Sequence, residues 1–252
     1  MRIRAIAAIL VLLLAALAWR PLAAWWYDDL GNLALARGDD ARALALFERG
    51  LALRPGSRLL LEDRGRAHLA RDPAAALSDF QSAACGAPCI AEMGDAQAHL
   101  GNADAAVADY LDAKAAVRLA VVVDRIAAGG DYDGAIALER ALNQRLGDSI
   151  LLRADAAATY AKIGDLSLGA ARATPARADE YRRAAIAAYD RASGLAPFNE
   201  GYLLSYATAQ ASWGDKRAAK AAYHRVLALH PHQADAERAL AALGEPTPRP
   251  SQ

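Results

Sequence analysis

Long apolar, alanine-rich stretches alternate with short polar corners along this chain, and the corners share one chemistry. They fall at Gly38 with Asp39, Arg71 with Asp72, Gly101 with Asn102, Gly130 with Asp131, Gly164 with Asp165, and Gly214 with Asp215. Glycine takes the left-handed conformation that ends one helix, and the following Asp or Asn accepts backbone N–H bonds that begin the next. The pattern therefore predicts helices joined in hairpins. Successive corners are 33, 30, 29, 34 and 50 residues apart, and the last spacing exceeds 34 by 16, as though one hairpin carries an insertion. After Pro231 the stretch HQADAERALAALG reads as a last helix covering the face that the final hairpin leaves exposed.

The residues between the corners resemble those of the tetratricopeptide repeat family, a 34-residue helix pair. Tyr27, Leu30 and Gly31 stand in the first helix of the first unit, Ala43, Phe47 and Gly50 in its second, and Pro55 closes it. The second unit carries Leu60, Ala76, Phe80, Ala83 and Pro88, and the third Ile90, Met93, Gly94, Ala106 and Tyr110 without a closing proline. The fourth keeps Leu119, Ala135 and Leu142 but has Glu139 where an aromatic belongs. The fifth begins with Leu152 and Tyr160, is interrupted after Asp165, and resumes with Ala185, Tyr189, Ala192 and Pro197. The sixth has Leu203, Ala207, Ala219, Tyr223, Val226 and Pro231. Small residues at the crossing let two helices approach, and the later aromatic fills the space between them. The resemblance implies an all-α, right-handed superhelical solenoid of about six helix pairs over residues 24–243, with a C-terminal capping helix. The insertion occupies about 166–183, and the Pro-rich tail 244–252 is expected to be disordered.

An uncharged apolar run, Ala5 to Trp19, precedes the repeats behind Arg2 and Arg4, the arrangement of a segment that enters a membrane with its N-terminus in the cytoplasm. Fifteen helical residues reach about 22 Å, short of a hydrocarbon core of about 30 Å, and Ala16–Leu17–Ala18 offers a cleavage site. Against cleavage, apolar character resumes as LAAWW, and Trp19, Trp25 and Trp26 suit an interfacial belt. Residues 1–23 read either as a membrane anchor, which places the repeats outside the cytoplasm, or as a signal removed near Ala18.

Charge and composition narrow the role. With 29 basic against 29 acidic residues the chain has no net field to gather nucleic acid. Hydrophobic residues make up 55% and aromatics only 6%, which favours packed helices over strands. No G-x-S-x-G, H-E-x-x-H or P-loop pattern occurs, so no enzyme activity, cofactor or small-molecule substrate is expected. Cys85 and Cys89, in CGAPC at a shortened corner, are a candidate disulfide if the region is exported, and otherwise free structural thiols. Two thiols alone make a poor zinc site, and His230 and His232 around Pro231 read as a solvated helix end rather than as metal ligands.

The resemblance also implies a concave groove lined by the first helices. Projecting that face onto this chain selects Asp28, Asn32, Leu61, His68, Asp95, His99, Asp124, Arg153 and Tyr160, a mixed and slightly acidic surface. One branch of the family grips chaperone C-termini with a Lys, Asn and Arg clamp. Asn32 matches its asparagine, but Asp28 stands where the lysine belongs and Glu62 where an uncharged amide is expected, so a terminal carboxylate is disfavoured. The expectation is a non-catalytic scaffold binding a protein or peptide partner in the groove. The alternative is an accessory or redox protein of an envelope enzyme system acting through Cys85 and Cys89. The basic residues of the insertion, Arg172, Arg177, Arg182 and Arg183, fit a solvated extension, either a protruding loop or a lengthened helix pair.

Overall fold

A computed structural model of the chain describes residues 2–84, 86–147 and 152–245, with side chains described from Trp19 onward. The described residues are helical and contain no strand. They divide into two compact bodies, Met1–Ala120 and Val121–Gln252.

In the first body, α1 (Arg2–Ala36) pairs with α2 (Asp40–Leu53), α3 (Arg58–His68) with α4 (Pro73–Ala83), and α5 (Ala87–His99) with α6 (Ala103–Asp112). The pairs form because a glycine on each first helix admits an aromatic ring from the second. A Cβ on Gly65 would sit 2.7 Å from Phe80, one on Gly94 would sit 3.0 Å from Tyr110, and one on Gly31 would collide with Phe47. All three rings are fully buried. Successive pairs then share a core in which Leu60, Leu61, Ala67 and Cys89 join Phe47 and Phe80.

The second body contains α8 (Tyr132–Leu146), α9 (Arg153–Ala173), α10 (Ala178–Leu195), α11 (Glu200–Trp213), α12 (Lys216–Leu229) and α13 (Ala234–Ala242). Helix α7 (Ala116–Ala128) straddles the division at Ala120. Gly164 and Tyr189 repeat the crossing between α9 and α10, with a Cβ–ring distance of 2.6 Å. In α13, Ala236 and Leu240 are buried in a cluster with Tyr223 and Val226 of α12, so the expected cap is present.

Five of the six corners separate two helices as expected, and four of them carry the expected side-chain cap, Asn102 making none. At the first, Gly38 has φ +75°, and Asp39 accepts the Arg42 N–H at 3.1 Å. Asp72, Asp131 and Asp215 cap α4, α8 and α12 in the same way. The sixth is corrected: Gly164 and Asp165 lie inside α9, which runs on to Ala173. Gly164 is small because Tyr189 crosses it, not because the chain turns. The insertion therefore lengthens the fifth helix pair, through a single 3-10 turn at Pro175–Arg177, rather than protruding as a loop. A second correction concerns Pro88, which lies in the first turn of α5, where its missing N–H costs nothing, and so opens a helix rather than closing the second unit.

Helix α1 passes through residue 23 without a break, so the expected edge of the apolar segment falls within it. Cys85 and residues 246–252 of the tail lie outside the described residues, and the apolar run as far as Ala18 is described in its backbone alone, so the expectations for them are not addressed by the structure. Among the described residues no helix is long and apolar enough to cross a membrane.

Candidate functional site

Counting from each crossing glycine shows how the first helices present their polar side chains. The next residue is Asn32, Arg66, Asp95 and Asp165 after Gly31, Gly65, Gly94 and Gly164. In the fourth repeat Val123 lies sixteen residues before Glu139, as Gly31 lies sixteen before Phe47, so valine and glutamate replace the glycine and the ring. Asp124 is then the equivalent residue, and Thr208 follows Ala207 in the sixth.

These residues brace one repeat against the next. Asn32, Arg66 and Asp124 each meet the residue two places before the crossing position of the following repeat. Asn32 Nδ2 donates to Asp63 Oδ2 at 2.7 Å, Arg66 Nε donates to Glu92 Oε1 at 2.6 Å, and Lys162 Nζ donates to Asp124 Oδ1 at 2.5 Å. For Asp95 the corresponding residue is the exposed Val121, which offers no donor. Arg118, one turn earlier, supplies the charge, with Nε at 3.1 Å and Nη2 at 2.5 Å from Asp95 Oδ2. The same residues also reach back to the ring of their own repeat wherever the ring carries a hydroxyl. Tyr110 donates to Asp95 and Tyr189 to Asp165, each at 2.6 Å, while Thr208 and Tyr223 share a bond of 3.2 Å.

In the first body the ladder is acidic. Among the described residues the ion-pair partners of Glu62, Asp63, Glu92 and Asp95 are Arg66 and Arg118, with Asp28 beside Asp63. Burial and the nearby Asp63 carboxylate push the Asp28 carboxyl up to about 6, and its Oδ1 has no hydrogen-bond partner among the described residues. Burial likewise raises Glu92 despite its bond to Arg66. This cluster disfavours a terminal carboxylate on the clamp positions by charge repulsion.

The nine residues expected to line a groove separate into distinct environments. Asn32 and His99 are exposed on the first body and His68 is half-buried. Leu61, Asp28 and Asp95 are instead buried, Leu61 among core side chains and Asp95 at 4% exposure between Tyr110 and Arg118. Leu61 packs inward because it lies one helical turn before Gly65, on the side of α3 that meets its neighbours. On the second body Asp124 is exposed and bonded to Lys162, and Arg153 and Tyr160 line an open cleft of about 1000 Å³. Sequence reasoning missed Asp63, Arg66, Glu92, Arg118 and Lys162, although counting from the crossing glycine would have found all but Arg118.

The insertion is pinned rather than free. A Cβ on Gly169 would stand 2.7 Å from the Tyr132 ring, and the Tyr181 hydroxyl bonds both Asp133 oxygens at 3.0 Å. Arg177 bonds Asp133 at 2.8 Å and Glu180 at 2.9 Å, with its guanidinium 4.6 Å from the Tyr181 ring centre. It thus docks on the start of α8. Cys89 is disulfide-bonded and 2% exposed, and Cys85, the chain's other cysteine, lies outside the described residues. His230 pairs with Glu200 at 3.1 Å, and His232 is exposed.

No protein-family model matches the sequence, and no curated protein is similar to it. Several solved structures align with it at low similarity. Cut9, from the APC/C Cut9–Hcn1 hetero-tetramer, is 18% identical over 89% of this chain, with a TM-score of 0.39. This chain spans 44% of the Cut9 chain. PilF of Pseudomonas aeruginosa is 16% identical over 88% of this chain and 99% of its own, at 0.38. YrrB, described as a TPR protein with an unusual peptide-binding site, is 12% identical over 85% and 90%, at 0.32. The assignment rests on the recurring glycine–aromatic crossings and capped corners: the chain has an all-α fold of tetratricopeptide-like helix pairs.

Proposed function

We propose that this chain is a non-catalytic scaffold that holds a partner protein or peptide against its first helices, tethered to a bacterial-type membrane with the repeats outside the cytoplasm. The observation that carries the reading is the ladder itself. Residues in one register of the first four first helices are braced across repeats by bonds to carboxylates of 2.5–2.7 Å, which holds a polar strip in a fixed arrangement before any partner arrives. Preorganisation of that kind lowers the entropic cost of binding.

Support for the tether comes from α1, which runs without interruption from Arg2 into the first repeat. Trp19, Leu22, Trp25 and Trp26 are 51–64% exposed on it, a composition suited to a headgroup interface. The experiment is fractionation of native cells, followed by crosslinking and mass spectrometry of the full chain. The reading expects an uncleaved chain that resists carbonate extraction and carries protein adducts. Release of a chain cut near Ala18 would replace the tether with secretion, and an absence of protein adducts would sink the scaffold.

The second reading, an envelope redox accessory acting through Cys85 and Cys89, is favoured by one observation, the disulfide at Cys89. The burial of Cys89 opposes it, because exchange requires an accessible sulfur. Replacing both cysteines by Ser separates the readings: a scaffold keeps its partner, and a redox protein loses its activity with fold and binding intact.

A further inference from the structure

The cleft that holds Arg153 and Tyr160 lies among α8, α9, α10 and α12, wholly within the second body. Four arginines on four different helices line it, Arg140, Arg153, Arg191 and Arg225, against one acid, Asp190. Elsewhere Arg64, Arg66, Arg118 and Arg177 are engaged by carboxylates. Among the described residues none of these four has a carboxylate partner, and Arg153 makes only a long 3.4 Å contact to the Gly194 carbonyl. Asn143, also on the wall, has a buried Nδ2 with no acceptor among the described residues. Helix polarity does not account for the set, since Arg153 is the first residue of α9, the end at which a positive charge is disfavoured.

We propose that this cleft seats an acidic segment of a partner polypeptide. Guanidinium groups pair with side-chain carboxylates through forked hydrogen bonds, so four of them lining one cleft suit a run of acidic side chains. At about 1000 Å³ the cleft is at the upper end of ligand-pocket sizes, which fits a run of several residues better than a single anion. The site differs from the chaperone clamp in place and charge, because the positions of that clamp fall in the first body, where Asp28 and Glu62 repel a carboxylate. The inference rests on the scaffold reading and adds to it the chemistry of the partner.

The test is fluorescence anisotropy of the full chain with a labelled twelve-residue peptide rich in Asp and Glu. Controls are a Lys-rich peptide of the same length and a single-stranded oligonucleotide of equal charge. The acidic peptide is expected to bind, and Arg153→Glu with Arg191→Glu to weaken it at least tenfold. Arg42→Glu, an exposed arginine on α2, is expected to change affinity less than twofold, with helix content by circular dichroism equal in all variants. If the paired variant loses its helix content, Arg153→Gln with Arg191→Gln takes its place with the same tenfold expectation. No binding of the acidic peptide, equal loss from Arg42→Glu, or equally tight binding of the oligonucleotide would each overturn the proposal. A native partner crosslinked through the first body and undiminished by the cleft variants would overturn the cleft and leave the scaffold standing.

Discussion

Glu139 occupies the aromatic position of the fourth repeat and is 8% exposed, so it brings a carboxyl into a place built for a ring. Burial first, and repulsion from Asp124 second, push it up to about 7 against an offsetting attraction from Lys162. Its ordinary value is near 4.5. Below pH 4.5 the folded and unfolded chains both hold the proton and no penalty arises. Between 4.5 and 7 the unfolded chain has released it while the folded chain has not, so stability falls by about 1.4 kcal/mol per pH unit. Above pH 7 both are ionised and the whole penalty, about 3 kcal/mol, remains. Glu139→Gln keeps the size and removes the charge. The variant is therefore expected to match the wild type near pH 4.5 and to exceed it by about 3 kcal/mol at pH 8. Asp28 titrates in the same range but is common to both chains and cancels. The assay is urea unfolding at pH 4.5, 6, 7 and 8, read from Trp213, with Trp19, Trp25 and Trp26 replaced by Phe so that the signal reports the second body alone. A difference that does not change with pH, or a Gln variant less stable at pH 8, would refute the argument.

Other consequences follow from the crossings and the ladder. Gly65→Ala drives a Cβ to 2.7 Å from Phe80, and the cost is expected to be about 1–3 kcal/mol, read as a lower urea midpoint with unchanged slope. Restoring the glycine–aromatic pair of the other repeats by Val123→Gly with Glu139→Tyr is expected to be better tolerated than Glu139→Tyr alone, and equal melting temperatures for the single and double variants would show that the two positions are not coupled. Arg66→Ala leaves Glu62, Asp63 and Glu92 without their shared cation and is expected to cost about 1–2 kcal/mol at pH 8 but less at pH 5. Because Arg66 is 43% exposed by side chain, that loss is also expected to shrink in high salt.

What the sequence revealed and what it concealed have physical reasons. The corners at Gly38, Gly130 and Gly214 were legible because a positive φ and a following cap are local demands that two residues meet by themselves. Gly164 with Asp165 carries the same two residues for another reason, the close passage of Tyr189 and the acceptance of its hydroxyl proton. The run of small residues beyond it, Ser167, Gly169, Ala170 and Ala171, all buried, was the sign that the helix continues. Surface polarity along the first helices was also readable, as Asn32, His99 and Tyr160 show, because it follows helical period. The ladder was harder, since Asn32 and Asp63 or Asp124 and Lys162 are 31 and 38 residues apart and meet only when one repeat stacks on the next. The arginine cleft needed four helices to be placed at once, which no periodicity encodes.

The central claim is that the first helices of the array hold a protein partner. Its most direct test is site-specific photocrosslinking of the full chain in native cells, with p-benzoylphenylalanine placed at Asn32, His99 and Tyr160 on first helices and at Glu48 and Arg217 on second helices, all solvent-accessible positions. The account predicts a discrete protein adduct from the first three positions and none from the last two. The same adducts from both sets, or none from either, would contradict it.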